Sequence, residues 1–169
     1  MNLIIEGAVS TKENKQTILN LLKHAATWLK DDGVDHWRVW LNPTEERLNW
    51  MEEGLNKGQF YLLYTTEKDL IGMYRLMYED ELYWGKTEDK AAYVHSLVVK
   101  NNFKGQGVGT KVLERIEKDL INKNFDFFRL DCNGENTKLC AYYEKAGFKK
   151  VGEIKMPHSL NFLYEKKLN

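Results

Sequence analysis

The sequence is poor in cysteine, has no surplus of charge of either sign and contains no long apolar run. Only two cysteines occur in 169 residues, Cys132 and Cys140, with no metal-like Cys or His pairing around them. The expected setting is therefore a reducing cytoplasm, and no metal is expected. Lys plus Arg number 25 and Asp plus Glu also 25. A dedicated nucleic-acid or membrane-surface protein would carry a net basic domain, so neither partner is expected. The opening MNLIIEGAVS lacks a basic leader and is too short in apolar residues for a signal peptide or a spanning helix. No repeat, low-complexity tract or linker interrupts the chain. Its length suits a single domain over residues 1–169 that buries a core without staples.

What is present is a clear alternation of elements. LIIEGAV (3–9) reads as a strand. Ser10 with Glu13 forms a capping-box signature, and Ile18, Leu21, Leu22, Ala25, Trp28 and Leu29 repeat at helical spacing until Gly33. Asn42, Pro43 and Glu45 predict a second helix start, with Leu48, Met51 and Leu55 as its apolar side. Strands follow at 60–66, 70–78 and 92–99, the last nearly continuous in apolar residues. Val112, Leu113, Ile116, Leu120 and Ile121 mark a long amphipathic helix. A strand at 125–132, a helix from Asn136 to Gly147, and two final strands complete the order β-α-α-β-β-β-α-β-α-β-β. This is an α/β (α+β) pattern with a mixed, largely antiparallel sheet flanked by helices.

Three glycines at alternate positions, Gly105, Gly107 and Gly109, stand immediately before the long helix in FKGQGVG. Glycine disfavours helix and loses much backbone entropy on folding, so something must require it there. The run is not a phosphate-binding P-loop, because GQGVGTK puts Thr before Lys. The G-x-G-x-G spacing also misses the dinucleotide fingerprint, and it lies far from the first strand. A tight turn without a ligand is the plain reading. An anion is the other: the free N–H groups and dipole of a helix start attract phosphate, and missing side chains admit it. Lys104 would add charge at the entrance.

KGQGVG resembles the R/Q-x-x-G-x-G/A pyrophosphate loop of the GNAT superfamily of acetyl-CoA-dependent N-acetyltransferases, with Lys104 in place of the usual Arg or Gln. Asn136, Tyr143, Gly147 and Phe148 match that family's second signature, and the element order agrees over almost the whole chain. The resemblance implies acetyl-CoA as cosubstrate, held by Leu97, Val98, Val99, Lys104, Gly105, Gln106, Gly107, Val108, Gly109, Thr110, Asn136 and Tyr143. It implies direct attack of a primary amine on the thioester, without an acyl-enzyme. Backbone N–H groups of Leu97–Val99 would stabilise the oxyanion, and Tyr143 would protonate the departing thiolate. Tyr142 and plain core packing compete for that last assignment.

The general base stays open among several residues. Asp131, inside the strand segment RLDC, is an acid where acids are unusual, five residues before Asn136 as in the aminoglycoside 6′-N-acetyltransferases this part resembles. Arg129, two residues away, is its expected ion partner if the role is structural. His95 is a second base candidate, and the acidic cluster Glu79–Glu81 a third, with Glu81 also able to attract a cationic substrate. Trp37 and Trp40, in HWRVW, are candidates to line the acceptor pocket or to pack in the core. Cys132 and Cys140 read as small buried hydrophobes rather than nucleophiles. A non-catalytic acyl-CoA sensor and a protein N-terminal or lysine acetyltransferase are the alternative functions. A homodimer is among the assemblies the sequence admits.

Overall fold

The computed structural model describes residues 2–34 and 37–168; His36 of the HWRVW run lies outside the described residues. The elements are β1 (Ile4–Gly7), α1 (Lys12–Asp31), α2 (Glu45–Asn56), β2 (Phe60–Tyr64), β3 (Leu70–Met77), α3 (Glu81–Trp84), β4 (Ala91–Val99), α4 (Val108–Asn122), β5 (Phe127–Asn133), α5 (Thr137–Lys145), β6 (Lys149–Met156) and β7 (Ser159–Lys167). Short 3-10 turns at Arg38–Trp40 and Asn101–Phe103 punctuate the loops. The sheet runs β1-β2-β3-β4-β5-β7-β6 and is mostly antiparallel, as the sequence predicts. No helix of the described residues is long and apolar enough to cross a membrane. The chain divides into two compact units, Met1–Leu76 with Ser96–Val108, and Met77–His95 with Gly109–Asn169.

In the first unit, α1 and α2 bury the apolar stripes that their periodicity predicts. Ile18, Leu21, Leu22, Met51 and Leu55 join Phe60, Leu62, Met73 and Val98 in one core. Each such side chain, fully buried, contributes about 1.5–3 kcal/mol. Both helix starts differ from expectation by one or two residues. Thr11, not Ser10, caps α1, its hydroxyl accepting from Asn14 N at 3.1 Å. Thr44, not Asn42, caps α2 and accepts from Arg47 N at 3.4 Å, which leaves Pro43 ahead of the cap. An apolar stripe fixes which face is buried but not where the first turn closes, so neighbouring hydroxyl and amide residues compete for the cap.

β1, β2 and β3 pair antiparallel, with Ile4 opposite Tyr64 and Phe60 opposite Arg75. Gly72 on β3 faces the later part of β4 at very short range. A Cβ there would fall 2.0 Å from the Val98 carbonyl oxygen and 3.1 Å from the Val99 Cα. Backbone cannot yield as a flexible side chain would. Gly72→Ala is therefore expected to destabilise by about 2–3 kcal/mol as an overpacking change, lowering Tm by roughly 5–10 °C for a chain of this size. A melting curve matching the wild type would refute this close approach.

The second unit is built on β5. It lies parallel to β4 through the pairs Ala91↔Phe127 to Val94↔Leu130, and antiparallel to β7 from Phe127↔Lys167 to Asn133↔Asn161. A parallel pair needs a long crossover, and α4 supplies it. Val112, Leu113, Ile116 and Leu120 are buried on α4, while Ile121 is exposed because it stands off the centre of the stripe. The four-residue α3 was not foreseen: Asp80 starts it, its Oδ1 accepting from Tyr83 N at 3.4 Å, and Gly85 at φ +69° ends it.

Candidate active site

The glycine run resolves into two different requirements. Gly105 (φ +77°) and Gly107 (φ +71°) adopt the left-handed backbone that side chains resist, and a Cβ on either would meet nothing within 4 Å. The space in front of them is open. α4 starts at Val108 with no acidic residue in its first turn, so its N-terminal partial charge is not answered from there. Gly109 has a packing requirement of its own. A Cβ there would lie 2.6 Å from the Tyr142 hydroxyl, which also hydrogen-bonds Thr110 Oγ1 at 3.3 Å. This third glycine makes room for a tyrosine. Lys104 Nζ lies 4.3 Å from the centre of the Trp28 ring and 3.4 Å from Asp32 Oδ2, and Gln106 donates to the Asn102 carbonyl at 3.1 Å.

Upstream of that loop, β4 is irregular. Its pairing with β5 ends at Val94, and Ser96 stands at φ +52°, rare for a non-glycine residue inside a strand. Beyond Ser96, Val98 is buried while Leu97 and Val99 are half-buried.

Downstream, Asn136 caps α5, its side-chain oxygen accepting from Leu139 N at 3.1 Å, and Gly147 (φ +93°) follows its C-terminal end. Tyr143 is 8 % exposed, with its ring edge-on to Phe148 and tilted against Tyr164. Burial pushes its phenol well above the usual tyrosine range, so the proton is retained through neutral pH. Among the described residues, none hydrogen-bonds its hydroxyl; Tyr142, by contrast, is engaged with Thr110. Cys132 and Cys140 are free, buried thiols with Sγ atoms 3.7 Å apart. Burial and the neighbouring Cys140 push the Cys132 thiol up, which suppresses the thiolate a nucleophile would need.

The strand acid Asp131 does not pair with Arg129. That guanidinium donates to Asp89 Oδ2 at 2.5 Å, Glu165 Oε2 at 2.7 Å and the Tyr93 hydroxyl at 3.1 Å. Side chains two apart on a strand share a face, but their heads diverge toward different neighbours. Asp131 instead meets His95, with Oδ1 3.6 Å from Nδ1, while its Oδ2 accepts from Asn161 Nδ2 at 2.6 Å. Asp80 Oδ2 lies 2.8 Å from the other ring nitrogen, Nε2. Burial raises the Asp131 carboxyl above the ordinary range, opposed by His95 and the Asn161 hydrogen bond and reinforced by Asp80. Asp80, His95 and Asp131 each offer an atom within 4.8 Å of the others, a spacing a cation could bridge. The imidazole meets the two acids through opposite nitrogens, Asp80 at hydrogen-bond distance and Asp131 at the longer distance of an ion pair.

Two of the three base candidates thus come together, and the third contributes a member that sequence reasoning undervalued. Asp80 is 6 % exposed rather than part of a solvated turn, whereas Glu81 is exposed and lies 3.8 Å from Lys86. Asn161, thirty positions from Asp131, carries no sequence signal; only the β5–β7 register brings it there. Trp40 is 5 % exposed and packs on Trp50 in the first unit's core, so it does not line a pocket, and Trp37 lies partly buried against the same core.

Comparison with known proteins identifies the family and the fold. Residues 34–148 match the model of the Acetyltransferase (GNAT) family. The chain is 26% identical over 145 residues to the uncharacterized N-acetyltransferase YesJ of Bacillus subtilis (strain 168), covering 83% of this chain and 79% of that one. A GNAT-family acetyltransferase from Listeria monocytogenes 4b F2365 superposes with TM-score 0.79 at 26% identity, over 98% of this chain and 95% of that one. The PaiA N-acetyltransferase of Thermoplasma acidophilum, solved with coenzyme A, shares the fold at TM-score 0.64 and 21% identity, over 99% of each chain. Signature loops, fold and family match converge, and the chain is an acyltransferase that belongs to the GNAT family of acetyltransferases.

Proposed function

We propose that residues 1–169 act as one N-acetyltransferase domain moving an acetyl group from acetyl-CoA to the primary amine of a cationic small molecule. The observation that carries this reading is Asp131: a largely buried strand carboxylate whose neighbours are a histidine, an amide and a second acid rather than Lys or Arg. A largely buried acid answered by no permanently charged side chain, only by a titratable imidazole, is costly unless a further positive group arrives. A substrate ammonium does so. Asp131 takes its proton, and the freed amine attacks the thioester carbonyl. A backbone N–H of Leu97–Val99 stabilises the oxyanion, and the tetrahedral species collapses with loss of the coenzyme A thiolate. Tyr143 delivers the proton that thiolate requires. The pyrophosphate is held at the start of α4, where Gly105 and Gly107 leave the backbone open.

The names of similar proteins suggest which amines to try. They include a thialysine N-ε-acetyltransferase of Sus scrofa, a spermidine N-acetyltransferase chimera with a Vibrio cholerae part, and an aminoglycoside acetyltransferase. A thiol-release assay with acetyl-CoA should detect turnover with at least one of thialysine, spermidine or an aminoglycoside. Failure with all primary amines, peptides included, would overturn the reading. Tyr143→Phe is expected to lower kcat by about tenfold or more with an unchanged acetyl-CoA Kd, because its role arises only as the thiolate departs. Turnover within about twofold of wild type, with chemistry rate-limiting, would make Tyr143 a packing residue and move attention to Tyr142 or water.

A further inference from the structure

The inference concerns Asp80, which no sequence motif marks, and it rests on the amine-acetylating reading above. A neutral imidazole carries one N–H and one lone pair. At 2.8 Å from a carboxylate oxygen, His95 Nε2 must present its hydrogen, since a lone pair there would repel Asp80. That leaves Nδ1 facing Asp131 Oδ1 at 3.6 Å. Nδ1 then either bears a proton opposite an ionised Asp131 or offers its lone pair to a protonated one. These arrangements differ only in where a single proton sits. Asn161 ties down the other Asp131 oxygen, so Oδ1 is the one turned to the ring.

We infer that Asp80 is a positioning residue: by holding the Nε2 hydrogen of His95, it makes His95 Nδ1 and Asp131 Oδ1 a joint acceptor for the proton of the incoming ammonium. The step balances. One ammonium N–H bond breaks, its electron pair stays on nitrogen as the nucleophile, and the proton is held by Oδ1 or Nδ1. The cluster passes from two negative charges to one as the substrate passes from cation to neutral amine, so the total charge in the site is unchanged. Around the ring and Asp131, Tyr83 packs 5.4 Å from the imidazole, and the Tyr143 and Cys132 hydrogens are retained at neutral pH by burial. Asp80 and Asp131 are the two carboxyl groups that face the ring. Substrates that enter as ammonium ions are favoured over aryl amines, which arrive without that proton.

The test uses the full chain, with imidazole nitrogens followed by NMR across pH and kcat/KM measured with spermidine, thialysine and an aminoglycoside. Wild type should show Nε2 protonated throughout, with Nδ1 gaining or losing the proton. In Asp80→Asn, removal of an adjacent negative charge should move the His95 half-protonation point down by about one pH unit or more. The acid limb of kcat/KM should move with it, in the same direction, and His95→Gln should lose rate without that titration. An unmoved His95 midpoint in Asp80→Asn overturns the inference, as does a moved midpoint with a stationary acid limb, which would make Asp80 only the start of α3. If wild type acetylates none of the amines, the functional reading fails and the catalytic inference falls with it. An active wild type with an unmoved limb in Asp80→Asn removes the inference alone.

Discussion

Gly107→Asp is expected to abolish the rise in Tm that acetyl-CoA produces. At a ligand concentration about a hundredfold above Kd, binding stabilises the native state by ~2.7 kcal/mol, or roughly 5–10 °C for a chain of this length. The substitution acts on the binding surface in two ways. It puts a negative charge at the start of α4, where the pyrophosphate would lie, and it strains a backbone held at φ +71°. Because a Cβ at this position meets open space, the apo protein should still fold and melt cooperatively. An undiminished acetyl-CoA shift in the variant would remove the loop from the cofactor assignment. Lys104→Ala should weaken binding only several-fold, since its charge is already shared with Asp32 and the helix N–H groups remain.

Asp131→Asn should lower kcat/KM for the amine by about tenfold or more, the ordinary range for a lost general base, while acetyl-CoA affinity holds. Its effect on stability has a definite sign. The folded carboxyl is raised above its unfolded value by burial, so between the ordinary carboxylate range and the raised value the folded state keeps a proton that the unfolded state has released. Stability therefore falls as pH rises through that window. Asparagine cannot ionise, so the variant should lose this decline and match or exceed wild-type Tm at pH 8, while Asn161 still has a carbonyl oxygen to donate to. The rate itself should rise with pH through the same window in wild type, as the carboxylate appears. A large drop in Tm with kinetics preserved in the folded fraction would make Asp131 structural.

The backbone of the glycine loop and the ends of α5 were legible in the sequence because their determinants are local. Left-handed backbone at Gly105 and Gly107, the Asn136 cap and the glycine after α5 are each settled within a few residues by sterics and hydrogen bonding. Helical stripes revealed the buried faces of α1, α2 and α4 for the same reason: periodicity is a short-range property. Cap positions slipped where Ser10 and Thr11, or Asn42 and Thr44, offered nearly equal chemistry.

The surroundings of Asp131 were different. Which residue answers Asp131 depended on where β7 lies against β5 and on the course of the chain around Asp80, fifteen residues before His95. Arg129, the near neighbour in sequence, went to Asp89 and Glu165 instead. Gly72 and Gly109 are glycines for contacts with Val98 and Tyr142, partners no local pattern names. By itself the sequence determined the α/β order, the left-handed glycine turn and the resemblance to the family; the tertiary structure alone decided the cluster of Asp80, His95 and Asp131, because strand register and close packing bring together groups that covalent spacing keeps apart.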